Sequence, residues 1–340
     1  MPRLAVIGGS GLLGSHLIAA LEREGWSASS IDRVPFPKNA PRPPGFWELC
    51  GDALDTAKLA ETLKGADAVW IKAAKLAGDR HDDDALPAYK RINVALPQKV
   101  MEMAGKMGIP RIYLDSSDAV FLDTWTEGNH LPDSPPCPKD HYGRTKAEAE
   151  SLLKEWAMAS DDRSGQIVRY SRVRAFESGG VLALWCAQAS LGLPLRLFGD
   201  GSRAGCAIHL DDCVRGSVAA LSLAPRFATY NLTLPPITLS DLSSIVAQLL
   251  GETGVSYDDD PSDPTDPQIH AMDPGDSWER LGIVPRVSYD QMVEETAAFV
   301  KERLEGEIPP WVRPFKNLPG IQALIRISLI AASRKRGIPL

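Results

Sequence analysis

Residues 8–14 read Gly8-Gly9-Ser10-Gly11-Leu12-Leu13-Gly14, and Asp32 stands eighteen residues beyond the last of these glycines. The run follows an apolar stretch at residues 3–7, and Leu17, Ile18 and Leu21 recur after it at helical spacing. Strand, glycine turn, helix, second strand (Trp26 to Ile31) and acidic tip together describe a βαβ unit that holds a dinucleotide. Gly8 permits the tight turn, Gly11 lets the backbone approach a pyrophosphate, and Gly14 lets the helix pack closely on the strand. The pyrophosphate would rest on free N–H groups at the positive helix end. Asp32 can accept hydrogen bonds from the adenosine ribose hydroxyls.

At 340 residues the chain is long enough to bury a large core. A net charge of −7 argues against nucleic acid as a partner. Five cysteines (50, 137, 186, 206 and 213) are odd in number and form no Cys-x-x-Cys pair. They suit a reducing, cytoplasmic setting better than a disulfide framework or a zinc site, and no metal is expected. The first strand begins at once, leaving no room for a signal peptide, and no apolar run reaches membrane-span length. Residues 308–340 carry +6 and the remainder −13. This basic, apolar tail reads either as a helix docked on its own fold or on a second subunit, or as a peripheral membrane contact.

Candidate strands at 3–7, 27–31, 46–50, 68–72, 111–115 and 166–170 alternate with helices near 11–24, 55–63, 86–108 and 140–159. Such alternation predicts an α/β fold with a doubly wound parallel sheet. Beyond about residue 172 the pattern loosens, with helices near 180–191, 239–250 and 288–304. The expected organisation is a nucleotide-binding domain over 1–172, a smaller interleaved C-terminal substrate-binding lobe over 173–307, and the tail. Asp82-Asp83-Asp84 with His81 reads as a solvated turn, because three adjacent carboxylates cannot all face one ion.

A second chemical signal is Tyr142-Gly-Arg-Thr-Lys146, which puts a phenol and an ammonium on one helical face. A neighbouring ammonium favours the phenolate and makes the tyrosine a usable proton donor or acceptor. Ser117, closing the fifth strand at the edge where doubly wound sheets bind ligands, can hydrogen-bond the same substrate oxygen.

These features in combination resemble the extended short-chain dehydrogenase/reductases, also called the NAD-dependent epimerase/dehydratase family. The matching residues are Gly8/Gly11/Gly14, Asp32, Gly51-Asp52, Ala73-Ala74, Asn93, Ser117 and Tyr142/Lys146. The similarity continues through Gly199-Asp200-Gly201, His209-Leu-Asp-Asp212, Tyr230-Asn-Leu and Arg280 to Pro285. It covers about residues 1–305, and the tail lies outside it. The resemblance implies a Rossmann sheet domain, Tyr142 as general acid/base, Lys146 anchoring the nicotinamide ribose, and Ser117 orienting the substrate oxygen. It implies cofactor contacts from Gly8, Ser10, Gly11, Leu12, Leu13, Gly14, Asp32, Arg33, Asp52, Ala53, Ala73, Ala74 and Asn93, besides Tyr142 and Lys146. It also implies a homodimer through helices 86–108 and 140–159. Asp32 would repel a 2′-phosphate and favours NAD over NADP, although Arg33 beside it is of the type that accepts that phosphate.

Departures from the family pattern bear on the substrate. Gly205 aligns with an arginine that binds nucleotide phosphates in family members acting on nucleotide sugars, and Arg203 lies two residues off. Arg172 stands where an asparagine is expected, and Arg172 and Arg174 could bind an anionic small molecule. Ser117-Asp118-Ala119 lacks the glutamate of the sugar 4,6-dehydratases, which disfavours elimination, while Asp118 could assist a proton transfer. Two enzymatic readings stay open: an NAD(P)-dependent oxidoreductase interconverting a secondary alcohol and a ketone, and a nucleotide-sugar epimerase with tightly bound NAD. A catalytically silent NAD-binding protein ranks last, because Ser117, Tyr142 and Lys146 are all retained.

Overall fold

The computed structural model describes residues 1–76, 82–121, 130–174, 181–190, 192–251, 254–258 and 272–307. Strands β1 (Arg3–Ile7), β2 (Ser27–Asp32), β3 (Trp47–Cys50), β4 (Ala68–Ile71), β5 (Arg111–Ser117), β6 (Ser164–Tyr170) and β7 (Phe227–Leu232) form one sheet. Their order is β7-β6-β5-β4-β1-β2-β3, and every neighbouring pair is parallel. The strand reversal beside β1 opens a crevice at the carboxyl edge, where ligands bind in such sheets.

Period-two alternation gives this sheet two apolar faces. Leu4, Val6, Trp70, Tyr113, Val168 and Tyr170 belong to one buried cluster with residues of α1 (Leu12–Leu21). Ala5, Ile7, Val69, Ile71, Ile112, Leu114 and Ile167 form the other with α2 (Thr56–Leu63), α4 (Leu96–Met107) and α5 (His141–Met158). The helix α6 (Leu210–Leu221) lies with the first cluster through Cys213, Ala220 and Leu221. β2 is serine-rich yet buried: Ser29 Oγ donates to the Thr62 carbonyl at 2.7 Å, so its hydroxyl is satisfied inside the core.

The helix expected over 86–108 is interrupted. The short α3 (Leu86–Lys90) passes into a π turn at Arg91–Ala95 before α4 begins. Pro97 accounts for this, since it lacks an N–H for the Asn93 carbonyl and its ring crowds that oxygen. A wider turn relieves both problems and rotates Asn93 inward, where it is fully buried.

The chain divides into two compact units that it enters alternately. The first comprises Met1–Val173, Cys206–Pro236 and His270–Arg286, and the second Arg174–Gly205, Ile237–Ile269 and Val287–Leu340. The sheet and every element named so far belong to the first. The second contains helices Val181–Ser190, Leu239–Leu250 and Tyr289–Glu307, with Leu195–Phe198 paired in parallel to Val255–Asp258. Its Trp185 is buried, with the indole N–H on the Arg196 carbonyl at 2.8 Å. His81 and the basic tail lie outside the described residues. Among the described residues no helix is long and apolar enough to cross a membrane.

The glycine turn is packed without slack. A Cβ on Gly14 would sit 2.4 Å from the Gly8 carbonyl oxygen, whereas one on Gly11 would meet nothing nearer than 3.6 Å. Gly14→Ala should therefore lower the unfolding free energy by about 2 kcal/mol or more in urea titration. Gly11→Ala should cost about 1 kcal/mol or less, the usual penalty at a helix N-cap. Equal losses in the two variants would contradict this packing account.

Candidate active site

The sheet's carboxyl edge holds a cleft of about 440 Å³, whose described lining residues belong to the first unit. Gly8, Gly11, Leu12, Leu13 and Gly14 form its floor. Gly8 has a left-handed φ of 90°, and a Cβ there would strike the Ala73 backbone nitrogen at 2.6 Å. Only glycine lets β1 turn so close to the segment after β4. α1 begins at Gly11, and among the described residues no side chain caps its first turn. Orphan N–H groups at a helix start, facing a cleft, are the donor set an anionic pyrophosphate requires.

At one end of the cleft stand Asp32, Arg33, Asp52 and Ala53. Asp32 accepts from the Ser10 N–H at 3.1 Å and from the Val34 N–H at 3.3 Å. Each carboxylate oxygen keeps a lone pair for a ribose hydroxyl. Ser10, expected to touch the cofactor, is not among the lining residues. Its hydroxyl donates to the Val34 carbonyl at 2.9 Å. Asp52 accepts from the Leu54 N–H at 2.9 Å and pairs with Arg91, a residue the sequence reading missed. That backbone hydrogen bond, followed by the Arg91 guanidinium, holds the Asp52 carboxyl below the usual carboxylate range.

At the other end the structure brings together Ser117, Tyr142 and Lys146, with Ala73 and Ala74 on the adjoining wall. Asp140 caps α5 by accepting from the Gly143 N–H at 2.6 Å. Gly143 lets that helix start against the turn after β5, because a Cβ there would lie 2.2 Å from the Ala119 carbonyl. This approach carries Tyr142 toward Ser117. The Asp83 side chain is 94% exposed, as expected of a solvated turn, and it also meets the buried His141 ring at 3.0 Å at the start of α5.

Asn93, a second expected cofactor contact outside the lining, braces this end. It accepts from the Lys75 N–H at 2.8 Å and donates to the Lys75 carbonyl at 3.2 Å and to Thr145 Oγ1 at 3.1 Å. Lys146 is 2 % exposed, and burial pushes its ammonium down to about 8, although Asp115 and Glu150 act to raise it.

Five further polar residues of the lining were not among the expected contacts: Lys72, Asp115, Ser116, Tyr170 and Ser171. The hydroxyls of Ser116 and Ser171 are buried without a hydrogen-bond partner among the described residues. Buried hydroxyls are seldom left so, and two at the edge of one cleft fit a polar ligand group such as a carboxamide. With the uncapped helix, the acidic adenosine end and the Tyr142/Lys146 pair, they make the cleft a fit for a nicotinamide dinucleotide.

Of the expected substrate contacts, Asp118 accepts from the Ser117 hydroxyl at 2.9 Å, and Arg172 is exposed. Arg174 and Arg203 belong to the second unit.

A doubly wound parallel sheet with this cleft defines a dinucleotide-dependent enzyme of the short-chain dehydrogenase/reductase type. The model of the NAD dependent epimerase/dehydratase family matches residues 4–233, and the chain belongs to that family. A relative from Sinorhizobium fredii, the uncharacterized protein y4nG, is 28% identical over 86% of this chain and 76% of its own length. Among solved structures, MoeE5 in complex with UDP-glucuronic acid and NAD is 26% identical with a TM-score of 0.73, covering 89% of this chain and 100% of that one. The UDP-glucuronic acid 4-epimerase of Bacillus cereus, bound to UDP-glucuronic acid and NAD, is 25% identical with a TM-score of 0.71, at the same coverage.

A lysine whose ammonium is lost near pH 8 makes a measurable prediction. The NAD dissociation constant should rise several-fold between pH 7 and 9, because the cation is present below its folded value and absent above it. Lys146→Ala should bind more weakly throughout and lose most of that pH dependence in calorimetric titration. A wild-type profile in this variant would remove Lys146 from the site. Asp32→Ala should weaken NAD by about tenfold and narrow the preference over NADP, a change of about 1.4 kcal/mol.

Proposed function

We propose that this protein is an epimerase that inverts a secondary alcohol carbon of a UDP-linked sugar, using NAD that it retains between turnovers. The observation that carries the reading is that Ser117, Tyr142 and Lys146 line one cleft, with no glutamate among its described lining residues. Its carboxylates are Asp32 and Asp52 at the adenosine end and Asp115, which is committed to an ion pair. Asp118 is engaged by the Ser117 hydroxyl. No glutamate is among the described lining residues, which favours epimerisation over dehydration. Likeness to a UDP-glucuronic acid 4-epimerase over the full length of that chain favours it over net oxidation of an alcohol. Every residue role is shared by these two redox readings.

Bound NAD supplies the hydride acceptor and donor. Tyr142 takes the proton of the substrate hydroxyl as that carbon is oxidised, and returns it when the carbon is reduced from its opposite face. The Lys146 cation favours the tyrosine's ionised form. Ser117 orients the oxygen by turning its hydroxyl from Asp118 toward substrate.

UDP-glucuronic acid and UDP-glucose, each incubated with the purified protein and no added cofactor, test the reading. A 4-epimer should appear by NMR without net NADH, and denatured protein should release NAD. Tyr142→Phe should cut turnover by 10²–10⁴-fold while leaving the retained NAD unchanged. Accumulation of NADH in proportion to sugar consumed would establish a dehydrogenase instead.

A further inference from the structure

Below the catalytic end of the cleft lies a charged network that none of the steps above uses. Lys72 follows β4 directly, and its Nζ stands 3.0 Å from both carboxylate oxygens of Asp115 in β5. The two side chains are 2% and 10% exposed. Asp115 also accepts from the Trp70 indole at 2.5 Å and from the Tyr170 hydroxyl at 3.2 Å. The Tyr170 hydroxyl is 2.8 Å from Ser217 Oγ on α6. The Lys72 ammonium lies 4.4 Å from the Trp70 ring centre and 5.5 Å from that of Tyr170. Lys72, Asp115 and Tyr170 all line the cleft that holds Tyr142 and Lys146.

Stability alone gives such a pair little reason to exist. A buried ion pair can commonly be replaced by apolar side chains at no loss. What distinguishes this one is its position, at the ends of three adjacent strands, facing a cleft fitted to a ring whose charge changes during reaction. Hydride transfer moves two electrons and one hydrogen from the substrate carbon to the nicotinamide ring, cancelling the ring's positive charge, while the hydroxyl proton goes to Tyr142. A lone carboxylate in the wall would hold the oxidised ring and a lone ammonium would repel it, and in a low-dielectric wall either effect is large.

We propose that the Lys72–Asp115 pair sets the balance between the oxidised and reduced cofactor by presenting cancelled charges to the nicotinamide end of the cleft. The pair is a positioning element and touches no reacting atom. The inference rests on the epimerase reading for its purpose, because an enzyme that reduces and reoxidises one retained cofactor needs both states held comparably. Asp115 and Lys72 also act in opposite senses on the neighbouring Lys146 ammonium, Asp115 raising its pKa and Lys72 lowering it.

The test is the ratio of dissociation constants for NAD⁺ and NADH, measured on the full chain stripped of nucleotide. NADH would be followed by its fluorescence and NAD⁺ by competition against it. Lys72→Met leaves Asp115 ionised between the Trp70 and Tyr170 donors, and should shift the ratio about tenfold toward NAD⁺. Asp115→Asn leaves the ammonium over the Trp70 ring and should shift it toward NADH. Opposite signs are the expected signature, since a merely structural role would weaken both nucleotides together. Ratios within twofold of wild type, or shifts of the same sign, would overturn the proposal. Should one variant fail to fold, the sign and size of the other still decide it. Wild-type protein that binds neither nucleotide would overturn the cofactor assignment itself. Opposed shifts in a protein that leaves UDP-sugars unchanged would sink the epimerase reading and keep the pair's role.

Discussion

Everything at the cleft depends on how closely two backbone segments approach one another at Gly8 and Gly14. With no side chain between them, the amino end of α1 is pressed against the turn that leaves β1, and the segment after β4 closes on the same turn. The uncapped N–H groups of α1 are thereby aimed into the crevice rather than into solvent or the core. Asp32 then fixes the turn from the second strand by binding the Ser10 N–H. The anion-binding end is a consequence of packing within the chain itself.

The catalytic end is assembled differently, by buried polar contacts. α5 is fixed at its start by Asp140 and by the Asp83–His141 pair, and along its first turn by Thr145, which receives the Asn93 amide. Asn93, Asp140, His141 and Thr145 are buried, where an unmet hydrogen bond is costly, while Asp83 reaches His141 from solvent. That cost is what holds Tyr142 and Lys146 in one orientation relative to Ser117.

The glycine run, Asp32, the apolar alternation and Tyr142/Lys146 were legible because each is a local pattern: a turn needing no Cβ, a period of two or 3.6, a four-residue spacing. The same patterns placed six of the seven sheet strands. β7 escaped because it is joined to the sheet after a long excursion and carries no signal of its partner, β6. Ser10 and Asn93 have the identities the family pattern asks for, but their hydrogen bonds go to protein, which spacing cannot reveal. Lys72, Asp115, Ser116, Tyr170 and Ser171 were not among the expected contacts for a related reason. They meet only because β4, β5 and β6 are adjacent, and Lys72 is 43 residues from Asp115 and 98 from Tyr170. The π turn could have been read from Pro97, which lies inside the helix expected over 86–108, where a proline kinks or breaks the helix.

That π turn has a mechanical meaning. Within five residues it presents Arg91 to Asp52, at the adenosine end, and Asn93 to Lys75 and Thr145, at the catalytic end. A widened turn is a less regular piece of helix than its neighbours, and its rotation is shared by both side chains. One widened turn of helix therefore supplies a contact to each end of the cleft, as a hinge pin is shared by two leaves.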